Sequence, residues 1–94
     1  MATKTAPFDV AQYLDDDETI AAFLTDALDS GNPAYINRAF GDVARAKGMT
    51  EIAKQTGVKR EALYRALSEK GNPQFTTIMQ VVKAMGFRLN VVPQ

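Results

Sequence analysis

Residues 49–68, MTEIAKQTGVKREALYRALS, confine this chain to a pair of helices joined at a sharp corner. Ile52 and Ala53 begin an apolar face on a short first helix. Gly57 stands four residues after Ala53, where a tight turn needs φ > 0, a conformation glycine adopts without steric cost. Val58 then plugs the corner. The second helix turns Ala62, Leu63, Ala66 and Leu67 inward and leaves Lys59, Arg60, Glu61, Tyr64, Arg65 and Ser68 outward. Ala53 is small because the second helix crosses close over it. The pattern predicts a helix-turn-helix whose second helix enters a major groove, offering cations to guanine edges and phosphates and polar groups to other bases. An ordinary αα-hairpin has the same glycine corner, and Glu61 with Arg65 then reads as a surface i,i+4 ion pair. Three cations and an aromatic hydroxyl between Lys59 and Arg65 favour DNA.

The remaining punctuation predicts further helices around this pair. Met1 to Pro7 lack periodicity, and Phe8, Val10, Tyr13 and Leu14 form a short apolar cluster. Asp15-Asp16-Asp17-Glu18 suits a helix N-terminus, with Asp15 and Glu18 at capping-box spacing and all four charges at the positive end of the macrodipole. A divalent-cation loop is the alternative, but the EF-hand glycine and distal glutamate are missing. Ile20, Phe23, Leu24, Ala27 and Leu28 form an amphipathic stripe that stops at Gly31. Asn32-Pro33 caps a second helix with the stripe Ile36, Ala39, Phe40, Val43 and Ala44, closed by Gly48. After Gly71-Asn72-Pro73, the residues Phe75, Ile78, Met79, Val82 and Met85 mark another helix, ending at Gly86. Phe87 to Val91 then alternates as a half-buried strand does. A lone strand leaves its ladder groups unpaired, so Phe87, Leu89 and Val91 are expected to pair with a second copy. The expected organisation is an acidic segment and helix at 1–32, a DNA-binding unit at 33–86 and a terminal strand at 87–94.

Charge divides along the same line. Residues 1–37 hold one cation (Lys4) and seven acids, a net of −6, whereas residues 38–94 hold ten cations and four acids, a net of +6. A basic half suits phosphates, and an acidic half suits a basic protein or repels non-specific DNA. With no cysteine and no histidine, the chain lacks a disulfide framework, a thiolate nucleophile and the commonest general base and metal ligand. The carboxylates, Ser, Tyr and Lys that remain show no nucleophile–base arrangement, so no catalytic residue, metal or cofactor is expected. No apolar run reaches the roughly 18 residues of a membrane span and no signal pattern opens the chain, so a soluble cytoplasmic protein is expected. A chain of 94 residues has a modest core, and a homodimer would complete its burial.

The order of these motifs resembles the lambda-repressor-like, Cro/C1-type DNA-binding domains. More narrowly it is similar to the addiction-module antidote proteins, HigA-like antitoxins paired with a RelE/ParE-type toxin. That narrower match is carried by Tyr13-Leu14-Asp15-Asp16, Ile36-Asn37-Arg38-Ala39, Met49-Thr50-Glu51-Ile52-Ala53 and Arg60-Glu61-Ala62-Leu63-Tyr64-Arg65-Ala66-Leu67. Gly71-Asn72-Pro73 and Phe87-Arg88-Leu89 complete it. The resemblance spans residues 8–92 and implies an all-α fold of about five helices with a short C-terminal β-strand. It implies an antitoxin that neutralises a cognate toxin encoded beside it and represses their shared promoter. Lys59 and Gln74 depart from the Ser or Thr caps usual at those helix starts.

The DNA contacts expected are Lys59, Arg60, Glu61, Tyr64 and Arg65 on the second helix of the pair, with Thr50 and Lys54 nearer the phosphates. Glu51 is the weakest of that group. Phe8, Tyr13, Leu14, Asp15 and Asp16 are expected to meet the toxin, the apolar side chains as anchors and the acids as steering charge. The rival readings are a phage-type or chromosomal repressor without a toxin, and a protein-only interaction module whose helix pair merely packs.

Overall fold

The structure is a computed structural model that describes residues 16–94. Five helices follow in order: α1 (Asp17–Ser30), α2 (Pro33–Lys47), α3 (Met49–Thr56), α4 (Arg60–Ala66) and α5 (Phe75–Ala84). The expectation of an all-helical chain with about five helices is met among these residues.

Helix α1 starts one residue later than its acids suggested. The capping residue is Asp16, whose extended backbone (φ −132°, ψ 156°) lets Oδ1 accept from the Thr19 amide at 2.7 Å. The Thr19 hydroxyl donates to Oδ2 at 3.1 Å, so Thr19 fills the place expected for Glu18. Those two donors, the amide first, hold the Asp16 carboxyl below its ordinary range. Asp15, together with Phe8, Tyr13 and Leu14, lies outside the described residues. Asn32 caps α2 as expected, its Oδ1 accepting from the Ala34 amide at 3.0 Å and the Tyr35 amide at 3.4 Å.

One core joins all five helices. Ile20, Leu24 and Ala27 of α1 meet Ala39, Phe40, Val43 and Ala44 of α2, and the cluster continues through Met49, Ile52, Leu63, Leu67, Val81, Val82 and Met85. Burying each of the larger aliphatic side chains contributes about 1.5–3 kcal/mol. Leu63, at 0% exposure, is the inward anchor of α4, and Leu63→Ala would cost about 2–5 kcal/mol. Gly41 lets α2 approach the end of α4. A Cβ there would sit 2.5 Å from the Leu67 carbonyl oxygen, so a larger residue forces a backbone shift. Gly57 ends α3 at φ 75°, its amide donating to the Ala53 carbonyl, as the corner requires.

Three apolar expectations are corrected. Leu28 stands 41% exposed, because α1 lays the line Ile20–Leu24–Ala27 on α2 and turns Leu28 aside. Phe75 and Met79 stand 67% and 51% exposed, because α5 turns Val81, Val82 and Met85 to the core instead. No strand forms at Phe87–Val92 among the described residues. A strand needs a neighbouring ladder, and nothing within the described single copy supplies one. Phe87 packs against the core, while Leu89 is 37% and Val91 92% exposed.

Candidate functional site

The corner between α3 and α4 is an open shallow depression lined by Thr50, Ala53, Lys54, Gly57, Val58, Lys59, Arg60 and Glu61. Five of the seven residues expected to meet DNA therefore surround one surface. The geometry follows from the local fold. Ile52 and Leu63 point inward and are buried, Val58 is half-buried against the core between them, and the intervening side chains are left facing solvent. Tyr64 and Arg65 lie outside the rim of the depression, one turn further along α4, and both are exposed. Tyr64 is tied back to the rim, for the Arg60 guanidinium carbon lies 5.7 Å from its ring centre. An arginine held over an aromatic face keeps its donors while losing rotamer freedom. The i,i+4 spacing of Arg60 and Tyr64 is the sequence signal for this pair.

Three of the chain's described cations are paired, whereas Lys70, Lys83 and Arg88, like those of the corner, form no ion pair among the described residues. Arg38 pairs with Glu69 at 3.3 Å, Lys47 with Asp17 at 3.3 Å, and Arg45 with Asp42. Lys54, Lys59, Arg60 and Arg65 form no ion pair among the described residues. The Glu61–Arg65 pair expected of an ordinary αα-hairpin is thus not made, and Glu51 accepts from Gln55 Nε2 at 3.0 Å. Neither Lys59 nor Gln74 makes a side-chain cap, so the helix starts of α4 and α5 keep backbone donors without that partner.

The acidic face lies on α1, which carries Asp17, Glu18, Asp26 and Asp29 and no cation. Asp16 caps that helix, and Asp17 is held by Lys47. Lys47 Nζ also lies 5.3 Å from the centre of the Phe87 ring, fastening the start of the C-terminal segment beside α1. Asp26 accepts from the Tyr35 hydroxyl at 2.9 Å, which pushes the phenol above its ordinary range. The two links of Lys47 leave no local sequence signal, since residues 17, 47 and 87 meet only through the fold. No helix among the described residues is long and apolar enough to cross a membrane.

Comparison with known proteins adds a family. A chain from Haemophilus influenzae (strain Rd), described as an uncharacterized protein, is 43% identical over 91 residues, covering 97% of this chain and 94% of that relative. No solved structure is a significant match. A family profile described as "Probable addiction module antidote protein" matches residues 4–93, nearly the whole length, and it takes in both the acidic helix and the exposed α3–α4 corner. The chain belongs to that family of probable addiction module antidote proteins.

Proposed function

We propose that the chain is the antitoxin of a toxin–antitoxin pair, HigA-like in type, which neutralises a RelE/ParE-type toxin and represses its own operon as a DNA-binding homodimer. It is a binding protein and not an enzyme. The observation that carries the DNA half is the corner of α3 and α4, where Thr50, Lys54, Lys59, Arg60 and Glu61 share one open surface and the cations form no described ion pair. In this reading α3 and α4 are a lambda-repressor-like helix-turn-helix, with α4 in the major groove and α3 crossing the phosphates. Family membership supports the toxin half.

A second copy suits the exposed side of α5. Phe75 and Met79 stand one turn apart on it, and Met79 continues into a groove of about 370 Å³ lined by Val82, Lys83, Phe87, Arg88 and Leu89. Covering that face in a two-fold dimer hides exposed apolar surface that a small single core leaves in water.

Anisotropy titration of the full chain tests the DNA half, using a duplex from upstream of its own gene and a scrambled duplex of equal length. A preference of about 10³-fold or more with a steep salt dependence is expected. Equal affinity for both duplexes, or none for either, refutes it. Co-expression with the neighbouring gene tests the other half, and the expected result is relief of the growth arrest caused by that gene alone.

A further inference from the structure

The guanidinium carbon of Arg60 stands 5.7 Å from the centre of the Tyr64 ring, one turn further along α4. Leu63 and Leu67, at 0% and 1% exposure, set the rotation of α4 that turns this pair outward. The ring of Phe87 also carries a cation, Lys47, but that charge is already answered by Asp17. Arg60 forms no ion pair among the described residues, and Tyr64 stays 38% exposed. Stacking engages the face of a guanidinium and leaves its in-plane N–H donors free. Tyr64 sets an apolar plane beside those donors.

Major-groove chemistry says what such a pair fits. Two donors in one plane match guanine, the base that presents both N7 and O6 as acceptors. An apolar plane matches the C5 methyl group of thymine. A helical turn rises about 5.4 Å, whereas successive base pairs lie about 3.4 Å apart. Stacking draws the two side chains together, so their targets fall on neighbouring base pairs. We infer that Arg60 and Tyr64 act as one unit, which reads a guanine and the thymine of an adjacent base pair in each half-site. Arg60 supplies the hydrogen bonds, and Tyr64 supplies the methyl contact while holding the guanidinium in place. The inference rests on the DNA-binding reading and adds to it the base-pair step that is recognised.

The test starts from the unmodified full chain and alters the DNA. In the duplex from upstream of its own gene, each thymine is replaced in turn by deoxyuridine, which lacks only the methyl group. Each guanine is replaced in turn by 7-deazaguanine, which lacks the N7 acceptor, and anisotropy titration reads the affinity. One adjacent thymine and guanine per half-site should respond. Deoxyuridine should weaken binding there about 4-fold, and 7-deazaguanine about 5-fold or more. Tyr64→Ala should abolish the deoxyuridine penalty, and Arg60→Ala the 7-deazaguanine penalty, as contacting partners require. If no thymine beside a guanine responds with the unmodified chain, the pair reads no methyl group and the inference fails. Penalties that survive in both variants assign that step to other side chains and overturn it as well. A Tyr64→Ala chain that melts lower and loses upstream and scrambled affinity alike reduces the pair to a fastening of the uncapped α4. In these three cases the unmodified chain still prefers the upstream duplex, and the DNA-binding reading stands. A chain with no preference for that duplex overturns both together.

Discussion

Asn37 Nδ2 donates to the carbonyl oxygen of Gly71 at 2.8 Å, joining α2 to the loop that leaves α4. Asn37 is 6% exposed, the one buried polar side chain among the described residues. Removing it orphans a part-buried carbonyl, which costs about 1–3 kcal/mol. Asn37→Ala should lower the urea midpoint accordingly, with an unchanged m-value. Asn37→Asp should do worse at neutral pH, because a carboxylate then faces the carbonyl without a proton to share. Equal midpoints for all three proteins would show that the bond contributes nothing.

On the proposed DNA-binding function, Lys59 would trade stability for DNA affinity. It occupies the cap position of α4 (φ −64°, ψ 145°) without a side-chain cap bond. Lys59→Ser should stabilise the chain by about 0.5–1 kcal/mol by capping that short helix. The same change should reduce the salt slope of operator binding by about 1, as one phosphate contact is lost. Calorimetry and salt titration read the two effects separately, and a variant that binds DNA with an unchanged slope removes Lys59 from the interface.

Arg65 and Lys54 should separate base reading from phosphate binding. Arg65→Ala should cost ~1–3 kcal/mol per half-site and relax preference at one base pair, because guanidinium can bridge two guanine acceptors. Lys54→Ala should weaken all sequences alike. If Arg65→Ala lowers operator and random-DNA affinity equally, Arg65 clamps a phosphate, and base reading passes to Arg60 with its Tyr64 partner.

Acid should loosen α1 through its cap. The Thr19 amide and hydroxyl depress the folded-state value of Asp16, so the cap contributes fully above the unfolded carboxyl value and is lost as pH falls through the folded one. Asp16→Asn keeps an acceptor that does not titrate in this range. The difference in melting temperature between the two proteins should therefore shrink from neutral pH toward about pH 3 and below. A constant difference over that range would detach the cap from the acid response.

The exposed α5 face predicts the assembly state. Phe75→Lys with Met79→Lys should shift a dimer to a monomer in analytical ultracentrifugation while leaving the melting curve of the monomer intact, since neither side chain is in the core. A dimer that persists with undiminished affinity would place the interface elsewhere.

The helices were readable because their punctuation is local. Asn32-Pro33, Gly57 and the spacing of Leu63 and Leu67 each follow from a few neighbouring residues, and the structure keeps all of them. The acidic start was ambiguous by one residue, since Asp15 and Asp16 can both cap, and only the Thr19 side chain distinguishes them. Leu28, Phe75 and Met79 lie on apolar stripes yet stand exposed, because periodicity gives a helical stripe but not which edge of it the neighbouring helix covers. The segment after Gly86 read as a strand because alternation reports side-chain faces, whereas a strand exists only where a ladder partner does. At the candidate site, sequence grouped the exposed side chains correctly by helix face. It could not show that Arg60 leans on Tyr64, or that Lys47 reaches both Asp17 and Phe87.

Gly41 is buried in α2 against the end of α4, and in the proposed dimer it would act as a ruler. Because the Leu67 carbonyl rests where a methyl group would otherwise be, the pitch of α4 against its scaffold is set by an atom that is missing. In the proposed DNA-bound dimer, two copies of that pitch would set how far apart the paired helices reach, about one turn of B-DNA. Gly41→Ala should then alter which operator spacings are accepted without touching a single contact to the bases, so that a tolerance measured in base pairs is written inside the protein core.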